Sequence, residues 1–84
     1  MKYIHTRYLE VIIYETGNLK LSVYSIRKSP YGWSPRELRA SFLAVSPNEF
    51  TYDYVSNKVA EVYAIFSNEE IHDLLNQIKK YKNG

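Results

Sequence analysis

Two segments in which an aliphatic residue recurs at every second position, separated by a short stretch containing glycine, constrain the fold of this chain more than any other feature. The segments are residues 7–15 and 19–28, and the positions that follow this period are Leu9, Val11, Ile13, Leu19, Leu21 and Val23. A period of two is typical of strands that bury one face. Between them, Gly17 and Asn18 tolerate the positive φ of a tight turn. The sequence therefore predicts a β-hairpin with one aliphatic face.

The length of the turn decides which residues face each other across this hairpin. We predict a three-residue loop over residues 16–18, which places Ile13 opposite Leu21. The same register places Val11 opposite Val23 and keeps the aliphatic side chains together. A two-residue loop would mix the two faces, because a slip of one residue turns every side chain to the other side of the sheet.

The other face of the predicted hairpin combines aromatic rings, isoleucines and cations. Its positions are Tyr8, Glu10, Ile12, Tyr14, Lys20, Ser22, Tyr24, Ile26 and Lys28. The chain has nine tyrosines in 84 residues, and tyrosine is frequent at interfaces because its ring is apolar while its hydroxyl is polar. We therefore expect four of these residues to lie in an interface, namely Tyr8, Ile12, Tyr14 and Ile26.

The clearest helix signal covers residues 68–82, near the end of the chain. Ser67 and Glu70 have the spacing of a capping box. Acidic residues in the first turn and lysines in the last turn suit the helix dipole. Apolar residues recur at helical spacing along one side, at Ile71, Leu74, Leu75, Ile78 and Tyr81. We predict an amphipathic helix that packs on one face of the sheet.

The segment after the hairpin has two interpretations. Ser34, Pro35 and Glu37 match the start of a helix, which predicts a short helix near residues 35–45. The apolar run in the same segment also matches a buried strand, with a type I turn after it. The sequence leaves both interpretations open.

Two further strands are predicted at residues 50–55 and 59–66, joined by a tight turn at residues 56–58. The first alternates Phe50, Tyr52 and Tyr54 with smaller or polar residues. The predicted fold is then a single α+β domain over residues 1–84. It consists of an antiparallel sheet of four or five strands built from hairpins, with the terminal helix on one face.

The sequence carries no signature of catalysis or cofactor binding. It has no nucleophile elbow and no glycine-rich phosphate loop. His5, which we place in a fraying N-terminal segment, and His72 both lack a second ligand three or four residues later in the chain, and the absence of cysteine removes thiolate sites. The acidic residues Glu69, Glu70 and Asp73 are explained by the start of a helix. We expect a protein that is not an enzyme and that uses no metal or cofactor.

Size and hydropathy favour one soluble domain. Eighty-four residues correspond to a single core of marginal size. No apolar run reaches the roughly 20 residues of a membrane span, and the first residues, MKYIHTRY, lack the apolar core of a signal peptide. We expect a cytoplasmic location and no membrane partner.

Positive charge is concentrated in the first half of the chain. Residues 1–40 carry seven cations and three acids, whereas residues 41–84 carry four cations and six acids. Single-stranded nucleic acid binds where cations meet phosphates and rings meet bases. The stretch KSPYGWSPREL, residues 28–38, brings both together, although its Trp33 also suits a lid over the core. The predicted nucleic-acid-binding residues are Lys20, Tyr24, Arg27, Lys28, Tyr31, Trp33, Arg36 and Arg39.

Two resemblances add expectations about partners. The order of basic hairpins followed by a strand that runs into SNEEIHDLLNQIKKYK resembles single-stranded-DNA-binding domains of the transcriptional-coactivator type. That resemblance implies a homodimer that binds with its sheet, and it implies no particular site residue. A short, tyrosine-rich chain without cysteine also resembles small viral accessory proteins. The alternative hypothesis is therefore a protein-interaction module, such as a virus-encoded inhibitor that binds a host defence protein.

Overall fold

A four-stranded antiparallel sheet with two helices on one side forms the fold, so the α+β class is confirmed. The computed structural model describes residues 1–29, 32–44, 46–64 and 66–83; for residues 26–29, 32–37, 44, 47, 82 and 83 it describes only the backbone. The elements are β1 (Lys2–His5), β2 (Leu9–Ile13), β3 (Leu19–Ser29), β4 (Gly32–Ala44), a 3₁₀ turn (Pro47–Glu49), α1 (Tyr52–Glu61) and α2 (Asn68–Asn83). The strands lie in the order β1-β2-β3-β4.

The aliphatic face predicted for the first hairpin is confirmed as the core. All six predicted positions are buried, and Ile4 joins them from β1, a strand that we did not predict. His5 therefore belongs to this strand and not to a fraying end. The other members of the core are Phe50, Val55, Val59, Ile71, Leu74 and Ile78. Both helices thus bury their apolar sides against the same face of the sheet.

The loop between β2 and β3 has three residues, as predicted, but lies one residue earlier than expected. The Tyr14 N–H donates to the Asn18 carbonyl at 2.9 Å, so the loop is residues 15–17. Gly17 has a φ of +94°. A three-residue hairpin loop needs a left-handed residue at its last position, and glycine adopts that conformation without strain. This requirement fixes where the loop lies.

The displaced loop changes the register but not the faces. Ile13 lies opposite Leu19, and Val11 lies opposite Leu21. The predicted partners, Leu21 for Ile13 and Val23 for Val11, are therefore wrong by two residues. A shift of two residues returns each side chain to its own side of the sheet, so the aliphatic face is kept.

Residues 32–44 form a strand, so the strand interpretation of this segment is confirmed and the possible short helix near residues 35–45 is wrong. Phe42 lies opposite Leu21 and is partly buried against the core. Pro35, which suited the first turn of a helix, lies in β4 at the edge of the sheet. Edge strands tolerate proline because the missing N–H removes no bond from the interior of the sheet.

The strands predicted at residues 50–55 and 59–66 are also wrong, because most of this region forms α1. Thr51 is the N-cap, and its hydroxyl accepts from the Tyr54 N–H at 3.2 Å. Phe50 and Val55 occupy the two positions of a hydrophobic staple around this cap, and both are buried. Val59 follows Val55 by four residues and is buried on the same side of the helix.

The predicted C-terminal helix is confirmed as α2, and three of its five predicted apolar positions are buried. Leu75 is partly buried, and Tyr81 is 41% exposed, with the Lys2 Nζ 5.5 Å from its ring centre. The Ser67 hydroxyl accepts from the Glu70 N–H at 3.3 Å, as a capping box requires. The Glu70 carboxylate bonds outside the helix, to the turn between β1 and β2.

The two helices lie side by side on the sheet. α1 is next to β4, because the Tyr54 hydroxyl donates to the Leu43 carbonyl at 3.1 Å. α2 is next to β1, because the Gln77 side-chain amide donates to the His5 carbonyl at 3.2 Å. Among the described residues, no element covers the opposite side of the sheet, which we call the open face.

Candidate nucleic-acid interface

Strands β3 and β4 continue beyond the rest of the sheet as a two-stranded arm. The pairing of β2 with β3 ends at Leu9 opposite Val23, followed by a bond of 2.8 Å from the Tyr24 N–H to the Tyr8 carbonyl. Within the described chain, the residues further along β3 pair with β4 alone. We call residues 24–29 and 32–38 the arm. The molecule measures 43 by 23 by 21 Å.

The arm and its base carry an excess of positive charge. Over residues 24–40 the sequence has four cations, Arg27, Lys28, Arg36 and Arg39, and one acid, Glu37. The backbone pairing places Lys28 opposite Trp33 and Ile26 opposite Arg36. The folded backbone therefore gathers charges from two sequence segments into one narrow ribbon.

A β-bulge marks the base of the arm. Val23 lies opposite Ala40 while Tyr24 lies opposite Leu38, so Arg39 is the extra residue of β4. A bulge bends the strand and redirects the side chain that it carries. The Arg39 side chain is exposed, and among the described residues no carboxylate forms an ion pair with it.

The fold separates the predicted nucleic-acid-binding residues into three groups. Tyr24 and Arg39 lie at the base of the arm, and Lys20 is half-buried on the open face, four residues back along β3. The residues whose backbones lie in the arm, but whose side chains are not described, are Arg27, Lys28, Trp33 and Arg36. Tyr31 lies outside the described residues. The β3–β4 pairing thus brings most of the predicted set to one end of the molecule.

The predicted interface residues do not all share one surface. Ile12 is half-buried on the open face, and Tyr14 is half-buried at the start of the loop. The Tyr8 ring instead packs against Phe66 with ring centres 5.7 Å apart, beside the connection between the helices. Ile26 lies in the arm, and its side chain is outside the described residues.

The open face contains a row of side chains that crosses all four strands and is apolar except for Lys20, and we call it the apolar row. The pairing aligns Tyr3 with Ile12, Ile12 with Lys20, and Lys20 with Leu43. Leu43 is 77% exposed and Tyr3 is 57% exposed. The next row is polar, and in it Ser22 and Ser41 share a hydrogen bond of 3.4 Å. Exposed apolar groups in a row are typical of surfaces that meet another protein.

A cleft of about 360 Å³ lies at the base of the arm. Its aromatic lining comes from Tyr8 and Tyr24 on the strand side and from Tyr63 and Phe66 on the helix side, and Arg39 supplies a positive charge. Sequence reasoning missed Tyr63 and Phe66 because it assigned them to a strand. The only signal in the sequence was the valine spacing of α1, which ends just before Tyr63.

Metal-binding clusters and membrane-spanning helices are both absent from the described ranges. No group of three or more His, Cys, Asp or Glu side chains there is placed to hold a metal ion. None of the helices found there has the length and hydropathy needed to cross a membrane.

Comparison with known proteins found no matching protein family, no similar curated protein and no similar solved structure. The resemblances to coactivator-type and viral accessory proteins therefore remain predictions. A function for this chain has to be argued from the geometry of the arm, the cleft and the open face.

Proposed function

We propose that this protein binds nucleic acid through the arm and the adjoining cleft. The observation that carries the proposal is the pairing of β3 with β4 beyond the sheet, which concentrates four cations and one acid over residues 24–40. Cations that neutralise phosphates release condensed counterions, and this release drives binding. A two-stranded ribbon is also slim enough to enter a groove of a duplex.

The distribution of charge over the molecule supports binding of nucleic acid at the arm. Four of the exposed acids, Asp53, Glu61, Glu69 and Asp73, lie on the helices, and two more, Glu15 and Glu49, lie in the β2–β3 loop and the 3₁₀ turn. The arm, built only from strands, has a net charge of opposite sign. A separation of this kind orients a polyanion toward the positive end before contact. Phosphates then meet the arm, and the exposed bases of a single strand meet the rings at its base.

Removing the charges of the arm is expected to weaken binding and its salt dependence together. In the triple variant Arg27→Gln, Lys28→Gln, Arg36→Gln, the slope of log K against log salt should fall by about 2, at roughly 0.7 per lost contact with a single strand. Affinity at low salt should fall at least about tenfold. Fluorescence anisotropy with a labelled oligonucleotide measures both quantities.

A matched control removes three charges at another place. The variant Lys79→Gln, Lys80→Gln, Lys82→Gln changes the last turn of α2 and should keep the wild-type slope. Equal losses in the two triple variants would show that net charge, rather than the arm, governs binding. If the wild-type protein binds no oligonucleotide at low salt, the proposed function is wrong.

We also propose that the protein acts as a homodimer joined through the open face. The row from Tyr3 to Leu43 exposes two large apolar side chains on that side, and a second copy would cover it. Two joined copies would present two arms to one nucleic acid, which raises the overall affinity through effective concentration.

A charge placed in the apolar row is expected to separate the copies. Light scattering should report two chains for the wild-type protein and one for Leu43→Glu, because the new carboxylate, although it faces Lys20 across the strands, would lose its hydrating water in the interface. The control Asn57→Glu makes a similar change on an exposed part of α1 and should stay dimeric. A monomeric wild-type protein would rule out the homodimer.

The exposed apolar row also keeps the alternative function open, in which the protein binds and inhibits another protein, such as a host protein. Aromatic and large apolar side chains such as Tyr3 and Leu43 then serve as anchors of the interface. Such a partner would stay bound at high salt and after nuclease treatment. It would be released by Leu43→Glu but not by the triple variant of the arm.

A further inference from the structure

Tyr63 has a backbone conformation that residues other than glycine rarely adopt. Its φ is +54°, and no other non-glycine residue in the described part of the chain has a positive φ. It follows α1, where the Tyr63 N–H donates to the Ala60 carbonyl at 3.0 Å and the Ala64 N–H donates to the Val59 carbonyl at 3.2 Å. These two bonds form a Schellman motif, and Tyr63 occupies its left-handed position.

Nothing in the folding of α1 requires a tyrosine there. Glycine is the usual residue at this position because it has no Cβ to clash with the backbone. A side chain can compensate for such strain by packing, but the Tyr63 side chain is 93% exposed. Backbone strain that no packing within the fold offsets is frequent where a side chain is held in position for binding.

The other rings of the cleft are held by contacts within the chain, whereas Tyr63 projects beside them. Tyr8 packs against Phe66, and the Tyr24 hydroxyl donates to the Glu10 carboxylate at 3.3 Å. Arg39, exposed and without an ion pair to a described carboxylate, lines the same cleft. An exposed ring and an exposed guanidinium therefore border one concave surface next to the basic arm.

We propose that this cleft binds one unstacked nucleobase, with the Tyr63 ring stacked on the base and Arg39 bonded to the adjacent phosphate. The inference rests on the proposed function and names its ligand more closely, as single-stranded nucleic acid. The volume of the cleft, about 360 Å³, is within the range of small-molecule sites. A base inside a duplex has its faces covered by its neighbours, so only a single strand or an extruded base can enter.

The test compares an oligothymidine with an abasic sugar–phosphate oligomer of the same length and charge. Anisotropy should show that the wild-type protein binds the oligothymidine about tenfold more tightly, as one stacked base predicts. In Tyr63→Gly this preference should disappear while the affinity for the abasic oligomer is unchanged. Tyr63→Phe keeps the ring and should keep the preference.

Thermal unfolding of the same variants separates a binding role from a structural one. Glycine relieves the left-handed strain, so Tyr63→Gly should raise the melting temperature by about 4 °C. A lower melting temperature would show that the ring supports the fold, and it would overturn the inference. Retention of the base preference by Tyr63→Gly would overturn it as well.

Failure of this inference differs from failure of the proposed function. If the wild-type protein binds both oligomers equally, with a steep salt dependence, the cleft takes no base and the arm still binds phosphates. If a duplex binds as tightly as the single strand, the arm binds a groove and the nucleobase site is wrong. If neither oligomer binds at low salt, both proposals fail.

Discussion

Replacing Leu21 by Ala is expected to lower the free energy of unfolding by about 3 kcal/mol, within the range of roughly 2–5 kcal/mol typical of buried leucines. Leu21 is fully buried near the start of β3, in the core between the sheet and the helices. The truncation removes apolar burial and leaves a cavity that the two neighbouring strands cannot fill. The melting temperature should fall by about 15 °C, since each kcal/mol corresponds to roughly 4–8 °C in a domain of this size.

The matched control is the same substitution at Leu43, which lies on the neighbouring strand and is 77% exposed. In the monomeric protein, Leu43→Ala should change the free energy of unfolding by no more than about 0.5 kcal/mol. Urea unfolding followed by circular dichroism measures both variants. Equal effects at Leu21 and Leu43 would mean that the helices do not pack on the predicted face. A loss at Leu43 that grows with protein concentration would instead reveal the homodimer.

The hairpin and the last helix could be predicted because their own residues determine them. The alternation around Gly17 assigns six aliphatic residues to one face whatever covers that face. The spacing of Ser67 and Glu70 likewise marks a helix start from local bonds alone. In both cases a short sequence segment contains the whole physical cause.

The strand predicted at residues 50–55 failed because two local signals compete there. Phe50, Tyr52 and Tyr54 alternate, and aromatic residues favour strands. Thr51 caps a helix, and Val55 and Val59 have helical spacing. The helix forms because it buries both valines against the sheet. Such tertiary packing outweighs the local propensity of the aromatic residues for a strand. Tyr52 and Tyr54 then lie on α1, and Tyr52 stacks on His72 of α2 with ring centres 4.9 Å apart.

The sequence predicted which types of residue form the candidate site, but it did not predict how the fold arranges them. The sequence indicated that cations and rings gather between Lys20 and Arg39, partly in the second predicted strand and partly in the stretch of residues 28–38 and just after it. Only the pairing of β3 with β4 shows that they form an arm. For Tyr63 the sequence offered only the valine spacing of α1, because its position depends on how that helix ends.

Replacing Glu70 by Ala is expected to cost about 2 kcal/mol of stability, even though Glu70 lies at the surface end of a helix. Its carboxylate accepts from the Thr6 hydroxyl and from the Tyr8 N–H, the latter at 2.9 Å. Hydrogen bonds to a charged acceptor are stronger than neutral ones, at about 1.5–3 kcal/mol each, and partial exposure lowers that contribution. The substitution leaves two part-buried donors of the β1–β2 turn without their acceptor.

Glu69 provides the matched control, because it lies in the same first turn of α2 and is exposed. Both substitutions remove a negative charge from the helix N-terminus, which is worth about 0.3–1 kcal/mol. The loss in Glu70→Ala beyond the loss in Glu69→Ala therefore reports the bonds to the turn.

A double-mutant cycle of Glu70→Ala with Thr6→Val isolates the bond to the hydroxyl, and its coupling energy should be about 1 kcal/mol. If both glutamate variants lose the same free energy of unfolding, with no coupling to Thr6, the Glu70 carboxylate does not stabilise the contact between the start of α2 and the β1–β2 turn. Tyr8 lines the cleft, and its N–H is one of the two groups that donate to Glu70. The bonds to Glu70 should therefore also fix one wall of the cleft. Glu70→Ala should then also weaken the preference for a base over an abasic site, while leaving the salt dependence of the arm unchanged.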